Sequence, residues 1–437
     1  MTSNIIYTRI SIVILTIVAI LGTASSCSVP GFFNSTTAAA TTYGLIKKDP
    51  GVRADGFVRA NAVVGLDGNT DNQGLSNLSA TKIVRINKDK LYILTKEKGL
   101  FRTQNGGQTW SRIYLIPVGS TNSDTNNRNK EINTQIAQND ALIITDFAVD
   151  ILQPQVLYIA VTEGNFGKIY QSLDEGNNFK EIYSEVEQNI PVLFLAIDPL
   201  NSSNIFAILQ EGALLRTTDS GLSWEKVRSF KDTPVQIGFV PEFNNLFFVL
   251  FASDGLAFSK DTGATWEILA LTKAPSEIGE NQPKDGLDIS FSQNAKFGKY
   301  EKIVPITAGI TYTTDGKITN PSGKNTWLLI ADKQMWYSQN AGNDFKKLVL
   351  PLQSEQANIY DIAFDPNSGL NRILASVDNR LFITTNQGKS WNTQDNINLS
   401  NPIGNISQIL IEKENTEIIY LTLINPKATR NNGLFSF

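Results

Sequence analysis

Short runs of alternating apolar and polar residues recur along most of the chain, in GLFRT (Gly99 to Thr103) and ALLRT (Ala213 to Thr217) among others. A period of two is the mark of a half-buried strand. Ahead of each such run lies a stretch apolar on both faces, as in KLYILT (Lys90 to Thr95), VLYIAV (Val156 to Val161), NIFAIL (Asn204 to Leu209) and LFFVLF (Leu246 to Phe251). These predict strands packed on both sides. A further strand precedes them, seen in TDFAVDI, VLFLAID, VQIGFVP and IYDIAFD. Turn residues separate the runs. The repeating unit is therefore strand A, strand B, strand C, a turn and strand D, and tandem antiparallel units of this kind predict the blades of a propeller.

The turn between strands C and D is one phrase written six times: TQNGGQTW from Thr103, SLDEGNNF from Ser172, TTDSGLSW from Thr217, SKDTGATW from Ser259, SQNAGNDF from Ser338 and TTNQGKSW from Thr384. Its pattern is Ser/Thr, any, Asp/Asn, any, Gly, any, any, Trp/Phe. The Asp or Asn (Asn105, Asp174, Asp219, Asp261, Asn340, Asn386) is placed to cap backbone N–H groups of the turn. The glycine (Gly107, Gly176, Gly221, Gly263, Gly342, Gly388) falls where a positive φ is expected. The aromatic (Trp110, Phe179, Trp224, Trp266, Phe345, Trp391) opens strand D and buries a large apolar area.

This phrase is identified as the Asp-box, or BNR repeat. From about Ala80 onward the chain resembles the Asp-box propellers: sialidases, sortilin-type receptor domains, some endoglucanases, and the photosystem II stability/assembly factor family. The resemblance implies an all-β fold in which the boxes hold structure and ligands meet the opposite face.

Box spacings give the blade count. Three intervals run 42 to 46 residues, while those before Asp174 and Asn340 are longer. The excess is expected as insertions at 118–140, 272–286 and 293–326, the last carrying an extra hairpin. ISQILIE, EIIYLTLI and GLFSF (Gly433 to Phe437) read as strands A, B and C of a seventh blade that lacks strand D. Left so, it would expose an edge. FVRANAVVG (Phe57 to Gly65) is expected to supply the missing strand. The expectation is a single seven-bladed β-propeller of four-stranded antiparallel blades over 56–437, closed by an N-terminal strand.

The one long apolar run lies elsewhere, at Ile10 to Leu21, after a single charge at Arg9. It has the length of a signal-peptide core and is short for a membrane span. Small residues lead to Cys27, the only cysteine among 437 residues. This resembles the lipobox of bacterial lipoproteins, with Ala24 where that family favours Leu. It implies a signal peptide over 1–26, a lipidated Cys27, and a tether over 27–55 rich in Ser, Thr and Ala. The expected address is the extracytoplasmic face of the cell envelope.

Composition narrows function by subtraction. There is no histidine, so the usual general base, nucleophile partner and zinc ligand are missing. The formal net charge of −4 offers no basic stripe for nucleic acid. No metal or cofactor is expected. Arg102 and Arg216 each precede a box and read as structural. A carboxylate-dependent glycosidase needs only two suitably spaced acids, and Asp146, Asp150, Asp198, Asp288, Asp361 and Asp365 fall in or at the ends of A strands beside the channel. Asp198 and Asp365 each precede a proline (Pro199 and Pro366) and read rather as A–B turn residues. The expected function is a monomeric, non-catalytic binding or assembly platform for a protein or glycan partner, with the glycosidase as the alternative.

Overall fold

The computed structural model describes residues 43–425, apart from 49–56, 66–67, 73, 116–139, 141, 188, 241–245, 270, 272–296, 307–310, 313–317, 320–325, 339–344, 352–356, 395–396 and 398–402. Cys27, Asp288, Asn340, Gly342, GLFSF and most of the expected insertions lie outside the described residues.

Seven antiparallel blades form a β-propeller. The blades start, in order, at strands A of Ala80–Arg85, Ile143–Val149, Val192–Asp198, Pro234–Val240, Tyr300–Ile306, Ile359–Asp365 and Asn405–Ile411. Strands B are the most buried elements, as their unbroken apolar sequence requires: Leu91–Thr95 and Leu246–Phe251 are buried throughout. Apolar clusters span pairs of neighbouring blades, so the core is shared between sheets.

The ring closes through an N-terminal strand D, as expected, but with a different strand C. Strand B of blade 7 (Ile419–Ile424) pairs with Gly44–Lys48, which in turn pairs with Phe57–Arg59. Two N-terminal strands therefore complete the blade, and Gly44–Lys48 holds the place assigned to GLFSF. The propeller thus begins near Tyr43, inside the expected tether. Beyond Arg59 the chain crosses to blade 1, where Val63–Val64 lies parallel to Trp110–Ser111 and antiparallel to Thr70–Asp71. FVRANAVVG thus supplies the expected strand D through Phe57–Arg59 and continues from there as a strap over the joint. Asn61 fixes it: its side chain accepts from Leu45 N (2.8 Å) and donates to Ser76 Oγ (3.0 Å). The buried Trp110 ring donates from Nε1 to Ala60 O at 2.9 Å.

The 293–326 insertion is also redrawn. Tyr300–Ile306 is strand A of blade 5, pairing with Thr326–Ala331. The extra hairpin exists, as Thr311–Tyr312 against Ile318–Thr319, but it sits inside an A–B connection.

Five boxes lie within the described residues, and all five share one bonding scheme. In box 3, Thr217 Oγ1 donates to Asp219 Oδ1 (2.7 Å) and accepts from Gly221 N (2.9 Å), while Asp219 Oδ1 accepts from Ser223 N (2.9 Å). Gly221 has φ +93°, and a Cβ there would stand 2.5 Å from Ile182 of blade 2. The residue before each box glycine is also left-handed, as in Glu175, Ser220, Thr262 and Gln387, which the one-glycine pattern did not reveal.

Asp and Asn both serve because the residue four further on carries an adaptable group. Asn105 Nδ2 donates to Thr109 Oγ1, whereas Asp219 Oδ2 accepts from Ser223 Oγ. The Ser223 hydroxyl, ahead of Thr217, holds the Asp219 carboxyl down at about 2, and the Thr265 hydroxyl does the same for Asp261. A depressed carboxyl contributes stability above its unfolded pKa, near 4, and loses it as the pH falls through about 2. The double substitution Asp219→Asn, Asp261→Asn is therefore expected to leave stability near the parent's at neutral pH and to flatten its fall below about pH 4. Urea midpoints across that range check this. Midpoints falling in parallel would place the acid sensitivity elsewhere.

Candidate functional site

The A strands surround the central channel, and each carries an irregularity at the same place. The A–B register slips between Ala80 and Lys82, at Thr145, and between Val192 and Phe194, Pro234 and Gln236, Tyr300 and Lys302, Ile359 and Asp361, and Ile406 and Gln408. A β-bulge re-aims the side chains that follow it. Here it aims one residue per blade at the next blade: Lys82, Asp146, Phe194, Gln236, Lys302, Asp361 and Gln408.

These residues bind the blades into a ring. Lys82 Nζ donates to Asp146 Oδ1 (2.6 Å) and Phe147 O (2.8 Å), and Asp146 Oδ2 accepts from Leu195 N (2.9 Å). Gln236 exchanges two bonds with the backbone of Ile303, at 2.9 and 3.0 Å. Lys302 donates to Asp361 Oδ1, and Asp361 Oδ2 accepts from Ile409 N (2.7 Å). Gln408 accepts from Ile83 N (2.8 Å) and donates to Ile83 O (3.3 Å), closing the circle. At the joint of blades 3 and 4 the position holds Phe194, and Phe206 stacks on Phe247 instead, 4.1 Å between centroids.

Three other candidate carboxylates cap A–B turns. Asp150 accepts from Leu152 N and Gln153 N, and Asp198 from Leu200 N and Asn204 Nδ2. Asp365 accepts from Asn367 N (2.8 Å) and Arg372 Nη1 (3.0 Å). Burial pushes the Asp365 carboxyl up, but the Asn367 N–H and the Arg372 guanidinium outweigh it, and its pKa lies below the usual range. The turn-cap reading holds for Asp198 and Asp365. The ring function of Asp146 and Asp361, with Lys82 and Lys302 as partners, is what the sequence reading missed. The signal was there: a polar residue breaks the alternation at the third position of ATK, ITD and IYD.

Arg102 and Arg216 are structural, as expected. Each reaches the box of the next blade: Arg102 Nη1 donates to Glu175 O and Arg216 Nη1 to Thr262 O, at 2.8 and 2.9 Å. Gln171 and Lys47 make the equivalent bonds to Ser220 O and Gly106 O. The box is thus an inter-blade joint as well as a turn.

The channel holds a cavity of about 390 Å³ beside blades 4 to 7, lined by Gln236, Gly238, Phe239, Lys302, Asp361 and Ile411 among others. Its polar groups are those of the ring. Among the described residues, no cluster of three or more Cys, Asp or Glu has the geometry of a metal site.

Comparison with known proteins adds the family. Several solved structures share the fold. A YCF48 bound to a D1 peptide superposes with a TM-score of 0.51 at 13% identity, over 80% of this chain and 93% of that one. YCF48 from Cyanidioschyzon merolae gives 0.51 at 10%, over 79% and 96%. The GH74 xyloglucanase from Xanthomonas campestris gives 0.52 at 15%, over 80% of this chain and 51% of the enzyme. No curated protein matches. The sequence model described as photosynthesis system II assembly factor YCF48 matches residues 135–420, from before strand A of blade 2 into strand B of blade 7. On that match, across well over half of its length, the chain belongs to the YCF48 assembly-factor family.

Proposed function

We propose that this protein is a lipid-anchored, extracytoplasmic propeller that acts as a non-catalytic platform for a protein partner during assembly of a membrane complex. The observation that carries the reading is the commitment of the channel acids. Asp146 and Asp361 each spend both carboxylate oxygens on the ring, and Asp150, Asp198 and Asp365 hold turns. A general acid and a nucleophile need oxygens that face substrate. The D1 peptide bound by a YCF48 structure of similar fold supports a protein, rather than a glycan, as the partner. Cys27, acylated and anchored, keeps the platform at the membrane where such a partner is assembled.

Two measurements test this. The purified protein is expected to leave a panel of xyloglucan, β-glucan and sialoside substrates intact. Turnover that co-purifies with the protein through successive columns would replace the platform with the glycosidase. Metabolic labelling with radioactive palmitate is expected to mark the parent and to disappear in Cys27→Ser. Label retained in that variant rejects the anchor.

A further inference from the structure

The walls of the channel cavity are apolar. Each of four successive A strands sets an isoleucine on it directly after the bulge residue: Ile237, Ile303, Ile362 and Ile409. The half-buried Phe239 and Phe364 stand two positions further on. Gly238 admits one more ring. A Cβ there would stand 3.1 Å from Phe248 Cζ, so the ring of its ladder partner lies over the glycine and reaches the wall. Among the described residues, the charged groups lining the cavity are Lys302 and Asp361.

These two charges are unevenly matched. Asp361 accepts three N–H bonds, at Oδ1 from Lys302 and Ile362 N (2.8 Å) and at Oδ2 from Ile409 N (2.7 Å). Two of the three donors are fixed backbone amides, so the carboxylate is well served. Lys302 is the opposite case. An ammonium has three N–H donors, and among the described residues Asp361 is the one group its Nζ reaches. Lys82, the other lysine of the ring, gives two bonds, to Asp146 Oδ1 and Phe147 O, and also lies over the Phe147 ring. Gln236 has both atoms of its amide closed on Ile303. Elsewhere in this molecule one cation holds two carboxylates: Lys168 holds Glu163 and Glu181, and Arg85 holds Glu412 and Glu414. Lys302 holds one, lines the cavity and keeps 29% of its side chain exposed. A second carboxylate, brought by a ligand, would complete it.

The cavity's size sets the rest of that ligand. At roughly 30 Å³ each, the share of a water in the liquid, its 390 Å³ holds about a dozen non-hydrogen atoms. The geometry points to a site for a small apolar monocarboxylate of that size, with its carboxylate on Lys302 and its hydrocarbon body against the isoleucines. A phosphate or sulfate has no body for these walls, and an alcohol brings no charge to the ammonium. Titration calorimetry of the full chain with decanoate tests this, with 1-decanol and decylamine beside it. Decanoate is expected to bind one to one with a Kd on the order of 10–100 μM. Its alcohol should bind about tenfold more weakly, and its amine should not bind. Lys302→Met should weaken decanoate about ten- to a hundredfold and leave 1-decanol unchanged. Ala363→Leu gives blade 6 the side chain that blade 7 carries two positions after its own bulge residue, Leu410. That variant should therefore melt with the parent, while its larger side chain takes up cavity space and weakens decanoate about tenfold. It keeps the test open if Lys302→Met does not fold. No decanoate bound at about 1 mM, an alcohol that binds as tightly as the acid, or binding unmoved by either substitution would overturn the site and leave the platform reading standing.

Discussion

A chain that begins at Gly56 is expected to fail to close its ring, whereas one that begins at Thr41 is expected to fold like the parent. The difference is Gly44–Lys48. That strand pairs along its whole length with Ile419–Ile424 and over three residues with Phe57–Arg59. Leu45 and Ile46 are fully buried in the clusters on either side of blade 7. Losing two such side chains forfeits about 3–6 kcal/mol of burial. Removing the strand also bares a ladder edge of Ile419–Ile424, whose residues are all buried. Asn61 would lose its bond from Leu45 N, loosening the strap over blade 1. Together these approach the whole stability of an ordinary domain, about 5–15 kcal/mol. Size exclusion and thermal unfolding of the two chains check the prediction, with aggregated or non-cooperative material expected from the Gly56 chain. A Gly56 chain that elutes as a monomer and melts within a few degrees of the other would mean that Gly433 to Phe437 can take the strand-C place.

That result bears on what a sequence can disclose about such a fold. The boxes were legible because each uses fixed chemistry at fixed offsets: a hydroxyl, an Asp or Asn and a glycine meet within eight residues, with no help from elsewhere. Blade order followed from them. Half of the seam was legible, since Phe57–Arg59 is the N-terminal strand D expected there; strand C was not, because GLIKK and GLFSF are equally good five-residue strands, and which one pairs with Ile419–Ile424 is decided by geometry 370 or so residues away in the chain. The strand-A bulge was hidden for a related reason. A bulge is a property of two strands in register, and in one strand it shows only as a polar residue out of phase, such as Lys82 or Gln408. Acids beside the channel could be named from the sequence, but their meaning depends on Lys82, Lys302 and backbone N–H groups of other blades.

Asp361 offers the sharpest test of the ring itself. It is almost wholly buried, bonded to Lys302 through one oxygen and to Ile409 N through the other. Asp361→Leu strands a cation and a backbone donor at the joint of three blades. Breaking a buried pair from one side costs about 3–5 kcal/mol; Lys302 is partly exposed and can recover some hydration, so about 3 kcal/mol is expected. Asp361→Asn keeps an acceptor for Ile409 N and should cost less, with its amide now facing the Lys302 ammonium. Lys302→Met alone leaves a buried carboxylate with only backbone donors. Combining Lys302→Met with Asp361→Asn removes both charges and retains the Ile409 bond, so the double variant should be more stable than the sum of the single changes predicts, by about 1–3 kcal/mol. Urea unfolding at constant m-value reads the cycle. If the singles instead add without coupling, and Asp361→Asn unfolds with the parent yet abolishes turnover of a glycoside, then the carboxylate serves a substrate and the channel is an active site after all.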